Sequence, residues 1–183
     1  MRIIAGKYRG RTLATFRGMD IRPTADRVKE SLFQILSQKI IGARVLDLFC
    51  GSGALGLECL SRGAREAVFN DISEESLAVL KKNLRALGEN ATVTRMSFEA
   101  CLKRVSGKFD LIFCDPPYKA NCEGEIFAIV KERKLLSEGG LIVFESERDM
   151  FPSAGFECVD TRNYGRTTVR FFAASKASEE VKK

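Results

Sequence analysis

The sequence predicts an α/β protein, with a mostly parallel sheet, helices on both faces and an antiparallel edge at its carboxyl-terminal end. Three observations carry this reading. Near-continuous apolar runs of strand length recur along the chain, notably 43–49 and 109–114, as expected of strands buried on both faces. Helix-period segments separate these runs, the alternation of a parallel sheet. Both named runs end in unusual clusters, Cys50-Gly51-Ser52-Gly53 and Asp115-Pro116-Pro117-Tyr118. Ligands of open α/β sheets bind just beyond the carboxyl ends of the strands.

Taken in order, residues 1–22 alternate irregularly around Gly6, Gly10 and Gly18 and read as a short hairpin or extended arm. Thr24 is a natural N-cap for a helix through about Gln38, with Val28, Leu32, Ile35 and Leu36 on one face. The strand at 43–49 then runs through the glycine turn into a helix reaching about Arg62, with Gly63 as its stop. A second strand ends at Asp71. Ser73 caps the next helix, Glu74 and Glu75 suit its positive end, Leu77, Leu80, Leu84 and Leu87 line its apolar face, and Gly88 ends it. Residues 91–96 read as a third strand, and Ser97-Phe98-Glu99 opens a short helix. The strand ending at Asp115 is the fourth. A helix over 123–133 leads to a fifth strand at 140–145, and strands at 156–160 and 167–173 form an antiparallel pair at the edge. Residues 175–183 are polar and charged, a frayed tail. No repeat or linker divides the chain, so 1–183 is read as one domain.

Composition narrows the function classes. A chain of 183 residues with 45% hydrophobic content can build one sizeable core. No apolar run reaches membrane-span length, and Met1-Arg2-Ile3-Ile4-Ala5-Gly6 is no signal peptide, so a cytoplasmic protein with no membrane partner is expected. Six cysteines, Cys50, Cys59, Cys101, Cys114, Cys122 and Cys158, form no C-x-x-C pair, and there is no histidine. Reduced, mostly buried thiols and no metal site follow. Without histidine, nothing of the usual kind activates a nucleophilic thiol, and every His-based acid–base mechanism is excluded.

The net charge of +6 is concentrated at the amino terminus. Residues 1–29 hold eight basic side chains, Arg2, Lys7, Arg9, Arg11, Arg17, Arg22, Arg27 and Lys29, against Asp20 and Asp26. That difference is the whole surplus, and the remainder of the chain balances. The pattern is the footprint of a polyanion partner, and Arg2, Lys7, Arg9, Arg11, Arg22 and Arg27 are the candidate nucleic-acid contacts.

Asp115-Pro116-Pro117-Tyr118 suits a flat substrate with an exocyclic amine. Asp115 and the Pro116 carbonyl can accept the amine hydrogens. Neither proline offers an N–H, and both fix φ, so the acceptors are held in place. Drawing on those hydrogens frees the nitrogen lone pair, and Tyr118 offers a stacking face. Gly51, Gly53 and Gly56 fit the G-x-G-x-x-G pattern of close backbone approach to a nucleotide, and Asp71, 20 residues after Gly51, stands where a carboxylate binds ribose hydroxyls. The glycines alone suit NAD equally well. Asp47, inside the first strand, favours a cationic cofactor over a pyrophosphate, which it would repel. A hydride-transfer enzyme also leaves the Asp115 cluster without a task. S-adenosylmethionine, with its adenosine, amino group and sulfonium, answers both points. Its leaving group is already good, so catalysis can rest on positioning and electrostatics without histidine.

These motifs and their order resemble the class I S-adenosylmethionine-dependent methyltransferases. Asp47-Leu48-Phe49-Cys50-Gly51-Ser52-Gly53 is similar to the cofactor motif of that family, and Asp115-Pro116-Pro117-Tyr118 to its amino-methyltransferase motif. More narrowly, Arg2-Ile3-Ile4-Ala5-Gly6, Gly10-Arg11, Arg22-Pro23-Thr24, Asp26-Arg27-Val28-Lys29-Glu30 and Tyr164-Gly165 resemble the bacterial 16S rRNA guanine-N2 methyltransferases of the position-966 type. The resemblance implies a Rossmann-like fold with a seven-stranded sheet and methyl transfer to guanine N2 in small-subunit rRNA; a monomer acting on 16S rRNA or on an assembly intermediate of the subunit is expected. It implies that Gly51, Ser52, Gly53, Asp71 and Ile72 hold the cofactor, with Ser97 and Phe98 near the adenine ring. Many relatives carry an acid where this chain has Ser97.

The Asp115 motif does not itself choose between guanine N2 and adenine N6. An adenine-N6 methyltransferase, a NAD(P)-dependent Rossmann enzyme and a non-catalytic RNA-binding module stand as alternatives. The short chain leaves little room for a groove-reading region of a DNA enzyme, which favours RNA.

Overall fold

The computed structural model describes residues 1–16, 23–117, 121–146, 155–165 and 167–175, with 23–27 described by backbone alone. Its strands are β1 (Arg44–Asp47), β2 (Glu66–Asn70), β3 (Thr92–Thr94), β4 (Phe109–Cys114), β5 (Leu136–Ser146), β6 (Phe156–Tyr164) and β7 (Thr167–Ala174). Its helices are α1 (Pro23–Ile35), α2 (Ser37–Ile40), α3 (Ala54–Ser61), α4 (Glu74–Leu87), α5 (Phe98–Arg104) and α6 (Glu123–Glu132). One seven-stranded sheet runs β3-β2-β1-β4-β5-β7-β6, parallel through β5 and antiparallel at β7 and β6. The chain leaves β1 towards β2 on one side and later reaches β4 on the other. The crevice at that reversal is the expected ligand position of a doubly wound sheet.

Alternation along the strands divides the core. Val45, Phe69, Leu111, Phe113 and Val143 face α1 to α4 and the amino-terminal residues. Leu46, Val68, Ile112 and Phe144 face α5 and α6. On the second face Phe127 lies 4.8 Å from Phe172, edge to face, and 5.2 Å from Phe156. Each such ring contributes about 1.5–3 kcal/mol by leaving water.

Element identities agree with the sequence reading, and the boundaries differ for local reasons. The helix expected to be capped by Thr24 and to run through Gln38 instead begins at Pro23, with Thr24 inside it, and is broken at Leu36. The Lys39 N–H reaches the Leu36 carbonyl at 2.8 Å, a tighter i→i+3 step, and both Leu36 and Ile40 are fully buried. The fifth strand begins at Leu136, with an irregular register against β4 between Phe109 and Leu111. The helix after β2 follows the expected rules, with Ser73 accepting the Ser76 N–H and Gly88 closing it at φ 68°. The tail beyond Ser175 lies outside the described residues.

The amino terminus is a hairpin-like turn pressed onto α3 and α4. Arg2 bridges Thr12, and Ile3 and Leu13 are buried. Glu58, fully buried on α3, accepts the Ile4 N–H at 2.8 Å and the Ala5 N–H at 3.0 Å. Lys29 and Arg62 pair with the same carboxylate at 3.0 and 2.8 Å. Burial alone would push the Glu58 carboxyl up, but Lys29, the Ile4 amide and Arg62 outweigh it and hold it below the usual carboxylate range. Lys29 therefore leaves the basic surplus counted above. It is buried, and it donates to the Arg2 carbonyl at 2.8 Å.

Candidate active site at the carboxyl edge of the sheet

Asp47, the glycine turn, Asp71, Ser97, Phe98 and Asp115 lie at the carboxyl ends of β1 to β4, because parallel strands deliver their following loops to one edge. After β1, the Cys50 N–H donates to Asn70 O at 2.9 Å and the Gly53 N–H to Cys50 O at 2.7 Å, which closes the glycine turn. Gly53 precedes α3 at φ 84°, and a Cβ there would meet a Leu80 methyl at 2.4 Å. Gly56 allows α3 to sit on β2, since its Cβ would lie 2.3 Å from the Phe69 ring. Gly51 differs. At φ 51°, its missing Cβ points into open space, so the backbone there faces the crevice.

Two carboxylates hold this turn. Asp47, 3% exposed, accepts the Gly56 N–H at 3.0 Å. Burial pushes its carboxyl up to about 7, the Gly56 amide opposes the shift, and the charge of Asp71 adds to it. Asp71 accepts the Gly51 N–H at 2.9 Å through one oxygen and the Ser73 N–H at 2.8 Å through the other. Beside it, Ile72 is 69% exposed, an apolar side chain presented to solvent next to the turn. After β3, Ser97 caps α5 by accepting the Ala100 N–H at 3.3 Å. The Phe98 ring lies 5.9 Å from Phe49, and both are half-buried.

The sequence reading missed two asparagines that fix the edge. Asn70 donates to Leu48 O at 3.1 Å and to Met96 O at 3.2 Å, which ties the segments after β1 and β3 to β2. Asn83, buried on α4, accepts the Ala14 N–H at 2.7 Å and donates to Ala14 O at 3.1 Å and Ser52 O at 2.9 Å. It clamps the amino-terminal turn to the glycine turn. An asparagine among the leucines of the helix's inner face was the available signal.

After β4, Asp115 opens to solvent and Pro116 is buried behind it. Enough protein surrounds the Asp115 carboxyl that desolvation raises it well above the usual carboxylate range, with Glu145 and Asp47 adding repulsion in that order. Glu145, near the end of β5, is raised by its own burial. It was not singled out in the sequence, and only strand pairing brings it beside Asp115. Tyr118 and Arg22 lie outside the described residues, as does the Arg27 side chain. Arg2, Lys7, Arg9 and Arg11 are all exposed on the amino-terminal turn. Lys7 pairs with Glu89 at 2.6 Å and sits over the Tyr8 ring.

Burial pushes the thiols of Cys50, Cys59, Cys101 and Cys114 up, and that of Cys122 to about 11, so none is poised as a nucleophile. Two depressions of about 310 and 480 Å³ open at the opposite, amino end of the strands. In their lining Asp110 accepts the Arg44 N–H at 2.8 Å, and Arg44 pairs with Glu66 at 2.7 Å. Among the described residues no helix is long and apolar enough to cross a membrane.

Known proteins share this arrangement. Residues 1–173 match the family model described as conserved hypothetical protein 95. The ribosomal RNA small subunit methyltransferase D of Haemophilus influenzae is 40% identical over 154 residues, 81% of this chain and 80% of that protein. Its namesake from Escherichia coli (strain K12) is 38% identical over 148 residues, covering 80% and 75%. The solved structure of the Escherichia coli protein yhhF superposes with a TM-score of 0.86 at 34% identity, over 95% of this chain and 97% of that one. The chain belongs to this family of Rossmann-like methyltransferases, the conserved hypothetical protein 95 family.

Proposed function

We propose that the protein transfers a methyl group from S-adenosylmethionine to the exocyclic N2 amine of a guanine in 16S rRNA, as free rRNA or within an assembling small subunit. The observation that carries this reading is the placement of Asp115 and Pro116 directly beyond β4, across the edge from a glycine turn backed by Asp47 and Asp71. The names of the Haemophilus and Escherichia relatives supply the substrate class.

The residues fit the cofactor on three counts. Open space at Gly51 admits a close ligand. Asp71, held by two backbone amides, keeps lone pairs for ribose hydroxyls. Exposed Ile72 and the half-buried Phe98 offer apolar faces for an adenine, with Ser97 holding Phe98 at the start of α5. Ser52, whose carbonyl is fixed by Asn83, keeps the turn in register. Asp47 backs the turn with a buried carboxyl whose ionised form a cationic ligand would favour. Bound there, S-adenosylmethionine would supply a methyl group activated by its sulfonium.

The chain does the rest. Asp115 and the Pro116 carbonyl accept the two amine hydrogens and free the nitrogen lone pair. Pro117 keeps the turn rigid, and Tyr118 supplies the stacking face. The raised proton affinity of Asp115 suits its carboxylate to take the proton that the amine sheds on forming its new N–C bond. Arg2, Lys7, Arg9 and Arg11, with Arg22 and Arg27, hold the RNA backbone.

Incubation with labelled S-adenosylmethionine and undermodified small subunits or free rRNA, followed by nucleoside analysis, tests the reading. N2-methylguanosine supports it. N6-methyladenosine would transfer the assignment to the adenine alternative.

A further inference from the structure

Glu145 has no part in the chemistry so far, yet its position is constrained. β4 and β5 pair in parallel, with Phe113 opposite Val143 and Cys114 opposite Phe144. Asp115 and Glu145 are the next residue on each chain. Phe113 and Val143 belong to the core face packed by α1 to α4, and Cys114 and Phe144 to the opposite face. Alternation returns Glu145 to the α1 side, one strand over from Asp115. Their proximity is also felt electrostatically, since Glu145 contributes the largest charge effect on Asp115.

Two neighbouring carboxylates that the surrounding protein desolvates are costly without donors to satisfy them. At Glu145 burial alone sets the shift, and no cation among the described residues offsets it. An incoming base can supply donors. Guanine presents N1–H directly beside its N2 amine, a row of donors on one edge. Adenine presents its N1 as an acceptor beside its amine. With Asp115 and Pro116 occupied by the amine hydrogens, a guanine N1–H would need one more acceptor, on the side where β5 ends.

Resting on the guanine-N2 reading, we infer that Glu145 is a specificity-determining residue whose carboxylate accepts the guanine N1–H. It selects guanine over purines that carry an amine beside an unprotonated N1. An acceptor facing such a lone pair leaves two lone pairs opposed and unsatisfied, which is the discrimination that hydrogen-bonding sites achieve best.

The test compares small subunits reconstituted with guanine or 2-aminopurine at the methylated position, after that position has been mapped with the wild-type protein. 2-Aminopurine keeps the 2-amine but has a lone pair at N1. Under single-turnover conditions the wild-type protein should methylate it at least about tenfold more slowly than guanine. Glu145→Gln, whose amide can donate to that lone pair, should raise the 2-aminopurine-to-guanine rate ratio at least about tenfold, with S-adenosylmethionine affinity unchanged. Glu145→Asp, which keeps the acceptor, should retain the preference for guanine. A rate ratio is independent of the fraction of variant that folds, and the wild-type comparison needs no variant. Equal wild-type rates on the two bases, or an unchanged ratio in Glu145→Gln, would overturn the inference. If the wild-type protein forms no N2-methylguanosine at all, it is the guanine-N2 reading that fails.

Discussion

The Asp71 carboxylate accepts the Gly51 N–H at 2.9 Å, so the residue proposed to hold a ribose also fixes the shape of the glycine turn. The bond ties the carboxyl end of β2 to the loop after β1. A change at Asp71 should therefore act on the proposed cofactor twice, by direct loss of an acceptor and by release of the turn.

Asp71→Ala should weaken S-adenosylmethionine binding by about 10- to 100-fold, the scale of one charge-assisted hydrogen bond together with the turn it supports. Asp71→Asn keeps one acceptor oxygen and should fall between. Titration calorimetry checks both, and wild-type affinity in Asp71→Ala would remove the residue from the site.

Asp47 makes stability depend on pH. Its folded-state pKa of about 7 lies above the ordinary 3.8, so the fold holds its proton more tightly than the unfolded chain does. That contribution is fully present below pH 3.8 and is lost as the pH rises through about 7. Asp47→Asn keeps an oxygen for the Gly56 N–H without the buried charge. At pH 8 it should be more stable than the wild-type protein, by on the order of a few kcal/mol, and the advantage should shrink towards pH 4. Denaturant unfolding at pH 4.5 and pH 8 measures the difference, and a pH-independent gap would contradict the assignment.

Asp115 is proposed to carry the chemical step, so Asp115→Ala should lower single-turnover methylation strongly and leave cofactor affinity near wild type. Because burial, then Glu145, raise the Asp115 carboxyl, the accepting carboxylate is depleted as the pH falls, beginning well above the usual carboxylate range. The wild-type rate should therefore rise with pH across neutrality, as the Asp115–Glu145 pair loses its proton. Asp115→Asn should be slower and should flatten that rise. A wild-type rate level from pH 5 to pH 8 would count against the role given to Asp115.

The exposed basic residues of the amino-terminal turn should supply RNA affinity without cofactor affinity. Neutralising Arg9 and Arg11 should reduce the salt slope of RNA binding by roughly 0.7–0.9 for each phosphate they no longer neutralise. Lys7 should contribute less, because Glu89 already pairs with it and raises its pKa. Filter binding across a salt series reads the slope, and an unchanged slope would leave these residues as a solvated surface.

What the sequence determined by itself is the local part of this protein. Hydrophobic period set the strands and helices, since burial on one face or both is written residue by residue. Ser73 and Gly88 stated their caps, and the glycines with Asp47, Asp71 and Asp115 marked the edge proposed for the chemistry. The tertiary structure decided what depends on partners distant along the chain. Only the parallel pairing of β4 with β5 brings Glu145 beside Asp115, 30 residues earlier. Only the docking of the amino-terminal turn on α3 removes Lys29 from the basic surface and seats it against Glu58. Asn83 is a polar residue on a helix until Ala14 and Ser52 arrive on either side of it. Element type is a local property of the pattern. The charge state and the task of a side chain depend on which neighbours the strand order and the crossovers deliver, and no local pattern encodes that.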